Sequence, residues 1–258
     1  MATPITSGNL AIIRQYLTDR RFLRNIVNPS AALMKAIIIN GGVPLNGVYD
    51  PNGIVPTAPY DAHQGFGRVN LSRSLPLAGA NSFNADFKDR LEVEQGEAVL
   101  FTYAVKDTCG SDTSSFSVTL VWTDPKGTAG CTACLVNDLD LIVTNLSSRT
   151  TYYPNGSDQK DDTNNVERVQ ISVASGDNIS VTVAGTNLIS TAKFSLAVTG
   201  CVDEGGVSPT TPLPTKSPTK SPTAYPTLTL QPSVDPDRKQ TLVTTMVGGE
   251  ILLMFQPP

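Results

Sequence analysis

The pattern of apolar and polar positions changes once along the chain, near residue 80. Before this point apolar residues recur every three or four positions, as on one face of a helix. They predict a helix over residues 3–24, and its apolar positions are Ile5, Leu10, Ile13, Tyr16 and Leu17. A second helix is predicted to start around residues 28–30 and run to residue 39. Because this second segment is apolar nearly all round, we expect it to be buried.

After residue 80 apolar and polar residues alternate, as in strands whose successive side chains point to opposite faces. Seven short segments show the alternation, with Gly, Asn and Asp turns between them. They are residues 90–94, 98–105, 116–122, 139–144, 166–173, 178–184 and 194–199. Short strands at this spacing predict a β-sandwich or jelly roll over residues 79–202.

The remainder of the chain has no core-forming pattern. Residues 203–236 are rich in Pro, Thr and Ser and repeat the sequence Ser-Pro-Thr-Lys. Such a composition cannot bury a core, so we predict an extended linker, a possible O-glycosylated stalk. Residues 237–258 show no clear architecture and are predicted to be a disordered tail.

Composition excludes some classes of partner. The 258 residues carry 19 Lys and Arg against 23 Asp and Glu, a net charge of -4, so we expect no nucleic-acid partner. No stretch approaches the roughly 20 apolar residues of a membrane-spanning helix. The N-terminus has no basic, apolar and small-residue segments of the kind that form a signal peptide.

Cysteines and sequons indicate a secretory compartment. The four cysteines are Cys109, Cys131, Cys134 and Cys201. N-x-Ser/Thr sequons, candidate glycosylation sites, begin at Asn70, Asn145, Asn155 and Asn178. Four cysteines allow three disulfide pairings, of which we favour Cys131–Cys134 and Cys109–Cys201. A zinc ribbon would need a second C-x-x-C pair, but Cys109 and Cys201 are far apart in sequence. A redox motif would need a strand-to-helix setting, which this predicted β-region lacks.

Several motifs resemble one protease family. Residues 1–4 read Met-Ala-Thr-Pro and residues 64–69 read Gln-Gly-Phe-Gly-Arg-Val. Both resemble segments of subtilisin-like serine peptidases (subtilases): the residues after the nucleophile, and a signature that closes the catalytic domain. Residues 29–36 resemble the family's next helix, while residues 120–124 and 135–141 resemble strands of a jelly-roll domain that some members carry. The resemblance implies that residues 1–78 are a helical remnant of an α/β subtilisin fold.

The resemblance also implies where the catalytic triad lies. In the family the order is Asp, His, Ser, and the nucleophilic Ser directly precedes the Met-Ala-Thr-Pro segment. That order places the triad before Met1, so we expect no catalytic residue in this chain and assign none. His63, the only histidine, follows the nucleophile position and is interpreted as a solvated loop residue. No serine lies in a Gly-x-Ser-x-Gly elbow.

Oxygen-bearing side chains form two clusters in the predicted sandwich. Asn137, Asp138 and Asp140 begin one strand, and Asn164 and Glu167 begin another. Calcium takes six to eight oxygen ligands, which two such segments could supply together. Jelly-roll domains of the resembled family hold calcium, so the resemblance supports a structural ion. The alternative is ordinary turn chemistry, in which Asn and Asp side chains bond to nearby backbone.

Three functional hypotheses follow. The first is a fragment of a secreted subtilisin-like endopeptidase whose full-length form cleaves protein or peptide substrates, the chain alone being inactive. The second is a calcium-stabilised jelly-roll binding or adhesion module on a glycosylated stalk; a naturally shortened regulatory pseudoprotease is a third. Residues 1–78 favour the first, because a binding module has no use for these helices. We expect the sandwich to be stable alone and residues 1–78 to be unstable.

Overall fold

The computed structural model describes residues 2–19, 26–45, 60, 64–77, 79, 81–106, 115–132, 134–203, 206–212, 242–247 and 250–255. In these ranges three helices occur: α1 (Ala2–Thr18), α2 (Ala31–Asn40) and the short α3 (Leu71–Ser74). The two longer helices lie where the periodicity predicts them. Helix α1 ends at Thr18, before the predicted end at residue 24, and residues 20–24 of the predicted helix lie outside the described residues.

The rest of the described chain is mostly β. Its strands are β1 (Asn84–Val93), β2 (Glu97–Ala104), β3 (Ser115–Trp122), β4 (Asp138–Asn145), β5 (Thr150–Tyr152), β6 (Val166–Ser172), β7 (Asn178–Asn187), β8 (Ala192–Gly200), β9 (Gly206–Pro212), β10 (Leu242–Val247) and β11 (Glu250–Phe255). One sheet has the order β1-β8-β3-β6 and a second has the order β5-β4-β7-β2-β9, while β10 pairs with β11. All pairings are antiparallel, and they are nested: β1 with β8, β2 with β7, β3 with β6 and β4 with β5.

The seven predicted strands are all present, and the differences lie at their edges. Strand β1 begins at Asn84 rather than at residue 90. Strand β9 lies in the segment predicted as linker, where it extends the sheet beside β2. Prolines are tolerated on such an edge strand, and the β2–β9 register shifts between Ala98 and Leu100, beside Pro209. The β10–β11 hairpin lies in the segment predicted to be a disordered tail, so that prediction is wrong for residues 242–247 and 250–255, whose backbones pair with each other.

The two large sheets pack face to face as the predicted β-sandwich. The inward positions of β3 are Phe116, Val118, Leu120 and Trp122, all at most 1% exposed. Corresponding residues of β2, β4, β6, β7 and β8 complete one apolar core. Trp122 is therefore a core residue, as predicted, and its indole N–H donates to the backbone oxygen of Asn137 at 3.0 Å.

A second core lies on the outer face of the four-stranded sheet. Val121 and Ala197 point away from the sandwich interior and pack with Phe87 against α1 and α2. The molecule therefore has three layers: helices, the four-stranded sheet and the five-stranded sheet. This arrangement buries both faces of β3, which explains why its residues are buried without interruption from Phe116 to Trp122.

Candidate functional site

Three acidic side chains meet near the first residues of β4 and β6. Asp140 is 2% exposed, and its Oδ2 accepts hydrogen bonds from Lys160 Nζ at 2.7 Å and from the Thr186 hydroxyl. Glu167 is fully buried, and its Oε2 accepts the backbone N–H of Leu141 at 2.5 Å. Asp138 is the first residue of β4, and the charges of Asp138 and Asp140 both act on Glu167. That these residues bind calcium stays a prediction.

The environment disfavours ionisation of two of these carboxyls. Burial, followed by the charges of Asp140 and Asp162, raises the pKa of Asp138 to about 6, although Lys160 opposes the shift. Burial also raises the pKa of Glu167 well above its usual range. The hydrogen bond from the Leu141 N–H opposes this shift, and the charges of nearby carboxylates add to it. Lys160 is therefore the one cation among the described groups that act on Asp138, and it faces several acidic side chains.

Two oxygens in this cluster have no hydrogen-bond partner: Asp138 Oδ1 and Glu167 Oε1. Buried carboxylate oxygens are normally paired, so each of these carries a desolvation cost. Among the residues that the structure describes, no three His, Cys, Asp or Glu side chains are arranged to hold a metal ion. Asp140 is bound instead to Lys160 and Thr186.

The other two predicted ligands are engaged elsewhere. The Oδ1 of Asn137 accepts the backbone N–H of Ile189 at 3.0 Å, which fixes the loop before β8. The amide nitrogen of Asn164 donates to the carboxylate of Asp161. Asp161 also accepts the backbone N–H groups of Thr163 and Asn164, which is the local turn chemistry that was the alternative to calcium binding. The contact of Asn137 is of another kind, because Ile189 is distant in sequence.

The loop before β4 is fixed by an acidic residue and a disulfide. Asp124 accepts the backbone N–H groups of Val136 and Asn137, both at 2.8 Å, and so sets the direction of the chain into β4. Cys131 and Cys134 form a disulfide within this loop. Cys201 is also disulfide-bonded. Its predicted partner, Cys109, lies outside the described residues.

The Gln-Gly-Phe-Gly-Arg-Val segment pairs with the chain that follows α2. The buried Gln64 accepts the backbone N–H of Leu45 at 2.7 Å, and Arg68 and Val43 form an antiparallel bridge. Gly67 has a φ of +87°, and a Cβ there would lie 2.2 Å from the Val43 oxygen. Glycine is therefore required at this position. His63, which precedes this segment, lies outside the described residues.

An apolar groove runs between the two long helices and this segment. Its volume is about 640 Å³, and its walls include Leu10, Met34, Ile38, Phe66 and Val69. Lys35 also contributes to the wall, and burial lowers its pKa. The groove contains no cluster of groups able to perform nucleophilic chemistry in the part of the chain that is described.

The four sequon asparagines differ in accessibility. A glycan is attached to the side-chain nitrogen, yet Asn145 is 5% exposed and donates from this atom to Asp177 at 2.9 Å. The side-chain nitrogen of Asn155 has two hydrogen-bond partners. Both positions are therefore poor acceptors in the folded protein. Asn178 is exposed and Asn70 is half-buried.

Two buried polar residues were not identified from the sequence. Asn40, at the end of α2, bonds to the hydroxyls of Ser117, Thr119 and Thr199 at 2.8–2.9 Å. Arg168 of β6 is 4% exposed and faces the helical layer. A polar residue inside an otherwise apolar helix is the signal that could have revealed Asn40.

Similarity to known proteins points to proteases. No protein-family model matches the chain. It is 30% identical over 248 residues to the serine protease/ABC transporter B family protein tagB of Dictyostelium discoideum, covering 78% of this chain and 13% of that protein. The tagA and tagD proteins of the same organism and family name are each 28% identical, covering 73% and 78% of this chain. The chain spans 11–14% of the length of these three relatives.

These similarities make the chain a distant relative of a serine-protease-related family. All three proteins that it matches carry the name serine protease/ABC transporter B family protein. In the described residues no helix is both long and apolar enough to cross a membrane.

Proposed function

We propose that this chain is a fragment of a secreted subtilisin-like serine endopeptidase. Residues 1–78 would complete the catalytic domain, and residues 79–202 would form the jelly-roll domain that follows it. The Asp, His and Ser that perform acyl transfer would come from outside these 258 residues, so the chain alone would not hydrolyse peptides.

The position of α1 carries this proposal. The helix begins at Ala2, inside the Met-Ala-Thr-Pro motif that follows the nucleophile in subtilases. The free N–H groups at the start of a helix favour negative charge, such as that of an oxyanion formed beside it. Similarity to three proteins named as serine proteases gives independent support.

The apolar groove supports the same proposal. Leu10, Ile38 and Val69 line a space of about 640 Å³ that the described residues leave open. In a complete subtilisin-like domain these helices pack on a parallel sheet. The nested pairing of β1 to β8 supports the jelly-roll assignment, because a long antiparallel ribbon folded on itself produces this order. The Cys131–Cys134 disulfide favours an oxidising, extracellular compartment.

The test combines transcript sequence with chemical labelling. We expect the transcript upstream of the Met1 codon to encode Gly-Thr-Ser in frame. A protein that includes this extension should react with a fluorophosphonate probe, whereas the 258-residue chain should not. Mutation of the added serine to alanine is the matched control. An in-frame stop codon immediately upstream, or labelling of the 258-residue chain itself, would overturn the proposal.

A second candidate function is a calcium-stabilised binding or adhesion module, and the acidic cluster favours the calcium part of it. Asp138, Asp140 and Glu167 would hold the ion, with the two unpartnered oxygens as ligands. Their side chains would have to move to do so, because among the described residues no three such side chains are arranged to hold a metal. Bound calcium would supply positive charge that offsets the mutual repulsion of the carboxylates. Asn137 and Asn164 are left out because their side chains are engaged elsewhere.

Unfolding in urea tests the calcium site without any assay of activity. A ligand that binds only the folded state at 100 times its dissociation constant adds about 2.7 kcal/mol. We expect calcium to raise the unfolding midpoint above that in EDTA. Glu167→Gln should abolish this increase, while Glu94→Gln, at an exposed position, should preserve it. Equal midpoints of the unmodified protein in calcium and in EDTA would exclude the site.

A further inference from the structure

The apolar groove of the helical layer is bounded by α1 and α2 and by the segment that contains Phe66 and Val69. Four apolar residues of its walls are only partly buried: Leu10, Met34, Phe66 and Val69. Apolar surface left in water costs free energy, and an exposed apolar patch commonly marks a place that another segment or molecule covers. The groove therefore favours an apolar occupant.

The C-terminal hairpin is a pair of strands that joins neither large sheet. Within the described chain β10 and β11 pair only with each other. An isolated two-stranded hairpin is marginally stable in water and needs a helix or further strands to pack against. The sequence of this hairpin is apolar, and Glu250 is the only charged residue in residues 242–247 and 250–255. The hairpin therefore needs a surface on which to pack.

The register of the hairpin divides its residues between two faces. Val247 is paired with Glu250, and Leu242 is paired with Phe255. Residues directly opposite in an antiparallel pair share a face, and neighbours along a strand alternate between faces. One face therefore includes Glu250. The other, the uncharged face, consists of one threonine and five apolar residues: Leu242, Thr244, Met246, Ile251, Leu253 and Phe255.

The structure brings this hairpin to the helical layer. Cα atoms of β10 lie within 8 Å of Cα atoms of α1, the helix that forms one wall of the groove. The charges are compatible with a contact between the hairpin and the groove. The groove walls include two cations, Arg14 and Lys35, and no acidic residue, whereas the two hairpin strands contain no cation. Docking would therefore bring no like charges together.

We propose that the C-terminal hairpin covers the apolar groove of its own chain, with the uncharged face toward the walls formed by α1 and α2. Two apolar surfaces that are each unfavourable in water would then bury one another. The hairpin would occupy the surface that, in the function proposed above, a complete catalytic domain covers with its parallel sheet. The inference does not depend on that function, because the groove and the hairpin both belong to this chain.

Photo-cross-linking of the full 258-residue chain tests the contact. The photoreactive residue p-benzoylphenylalanine, which reacts with nearby C–H bonds, replaces either Leu253 on the uncharged face or its neighbour Leu252 on the other face. We expect the Leu253 variant to form links to peptides of α1 or α2 within one molecule, with a yield that dilution does not change. The Leu252 variant should form severalfold fewer links. Equal yields from the two positions, no link to either helix, or links only between two molecules would overturn the proposal.

Two variants of α1 assign the contact to the groove. Ala11 and Gln15 are both exposed on this helix, but only Ala11 lines the groove. Ala11→Glu places a bulky charged group in the groove and should lower the cross-link yield from position 253 severalfold. Gln15→Glu adds the same charge outside the groove and should leave the yield unchanged. Equal yields in these two variants would show that the hairpin contacts the helices elsewhere and would overturn the proposal.

Discussion

The Asp140–Lys160 ion pair joins a buried carboxylate to an exposed ammonium. The side chain of Asp140 is 2% exposed and that of Lys160 is 44% exposed. Lys160 can return to water at little cost, because exposed ion pairs contribute only about 0–1 kcal/mol. Asp140 cannot return to water in the same way, because its side chain is buried. Its other contact, the Thr186 hydroxyl, is neutral. A metal ion that bound Asp140 through Oδ2 would therefore compete with Lys160.

This competition leads to a prediction for Lys160→Gln. Removal of the ammonium should tighten calcium binding by about threefold to tenfold, a small effect because water already screens the pair. Titration calorimetry measures the dissociation constant directly. Lys126→Gln, at an exposed position outside the cluster, is the control and should leave affinity unchanged. An unchanged dissociation constant for Lys160→Gln would show that the lysine does not compete with the ion.

The sequence predicted part of this site, for a physical reason. Asp138 and Asp140 are two residues apart on a strand, so their proximity followed from alternation alone. The roles of Asn137 and Asn164 could not be predicted in this way, because loop partners such as Ile189 are distant in sequence. The predicted calcium ion itself stays a prediction.

At the scale of elements, polar contacts hold both ends of α2 on the four-stranded sheet. At its start, Ser30 caps the helix by accepting the Leu33 N–H at 3.0 Å and donates to Asp89 at 2.5 Å. At its end, Asn40 accepts from Ser117 and Thr119 and donates to Thr199. Because apolar surfaces can slide over one another, these directional contacts fix the position of the helix.

Asn40→Ala tests this polar contact. The substitution leaves three buried hydroxyls without their partner, so we expect a loss of about 2–3 kcal/mol in the free energy of unfolding. Urea denaturation of the full chain measures it. Asn9→Ala, in an exposed turn of α1, is the control and should change stability by less than about 0.5 kcal/mol. A loss no larger than that of the control would mean that the network contributes little.

The helix itself was predictable, but its partner was not. Residues 31–39 are apolar nearly all round, with Lys35 as the exception, which correctly indicated burial. The resemblance supplied a parallel sheet as the partner, whereas in this structure the outer face of β1-β8-β3-β6 covers α2. Strand β3 concealed this second contact, because Ser117 and Thr119 alternate with its apolar residues and suggest a solvent-facing side, whereas both are buried.

At the scale of the whole molecule, the helical layer and the sandwich share a core. Phe87, Val121, Val166 and Ala197 of the sheet pack against α1 and α2. We expected the sandwich to be stable alone, but its outer face would then expose these apolar side chains to water. The shared core therefore predicts that the two parts depend on each other for stability.

A fragment of residues 79–212 tests this dependence. We expect it to unfold at lower urea concentration than the full chain and to bind a hydrophobic dye more strongly. The same fragment with Val121→Thr presents less apolar surface and should bind less dye. An unfolding midpoint equal to that of the full chain would show that the sandwich is autonomous.

Strand β6 carries opposite charges on neighbouring residues, and this has a consequence for folding. Glu167 faces the interior and accepts the Leu141 N–H, while Arg168 faces the helices and donates to Gly42. A slip of one residue against β3 would exchange these faces. The guanidinium would then face a backbone donor, and the carboxylate would face a backbone acceptor. The misaligned sheet would therefore lose both hydrogen bonds, those of Glu167 and Arg168. These two neighbouring residues thus favour the observed alignment of β6 with β3.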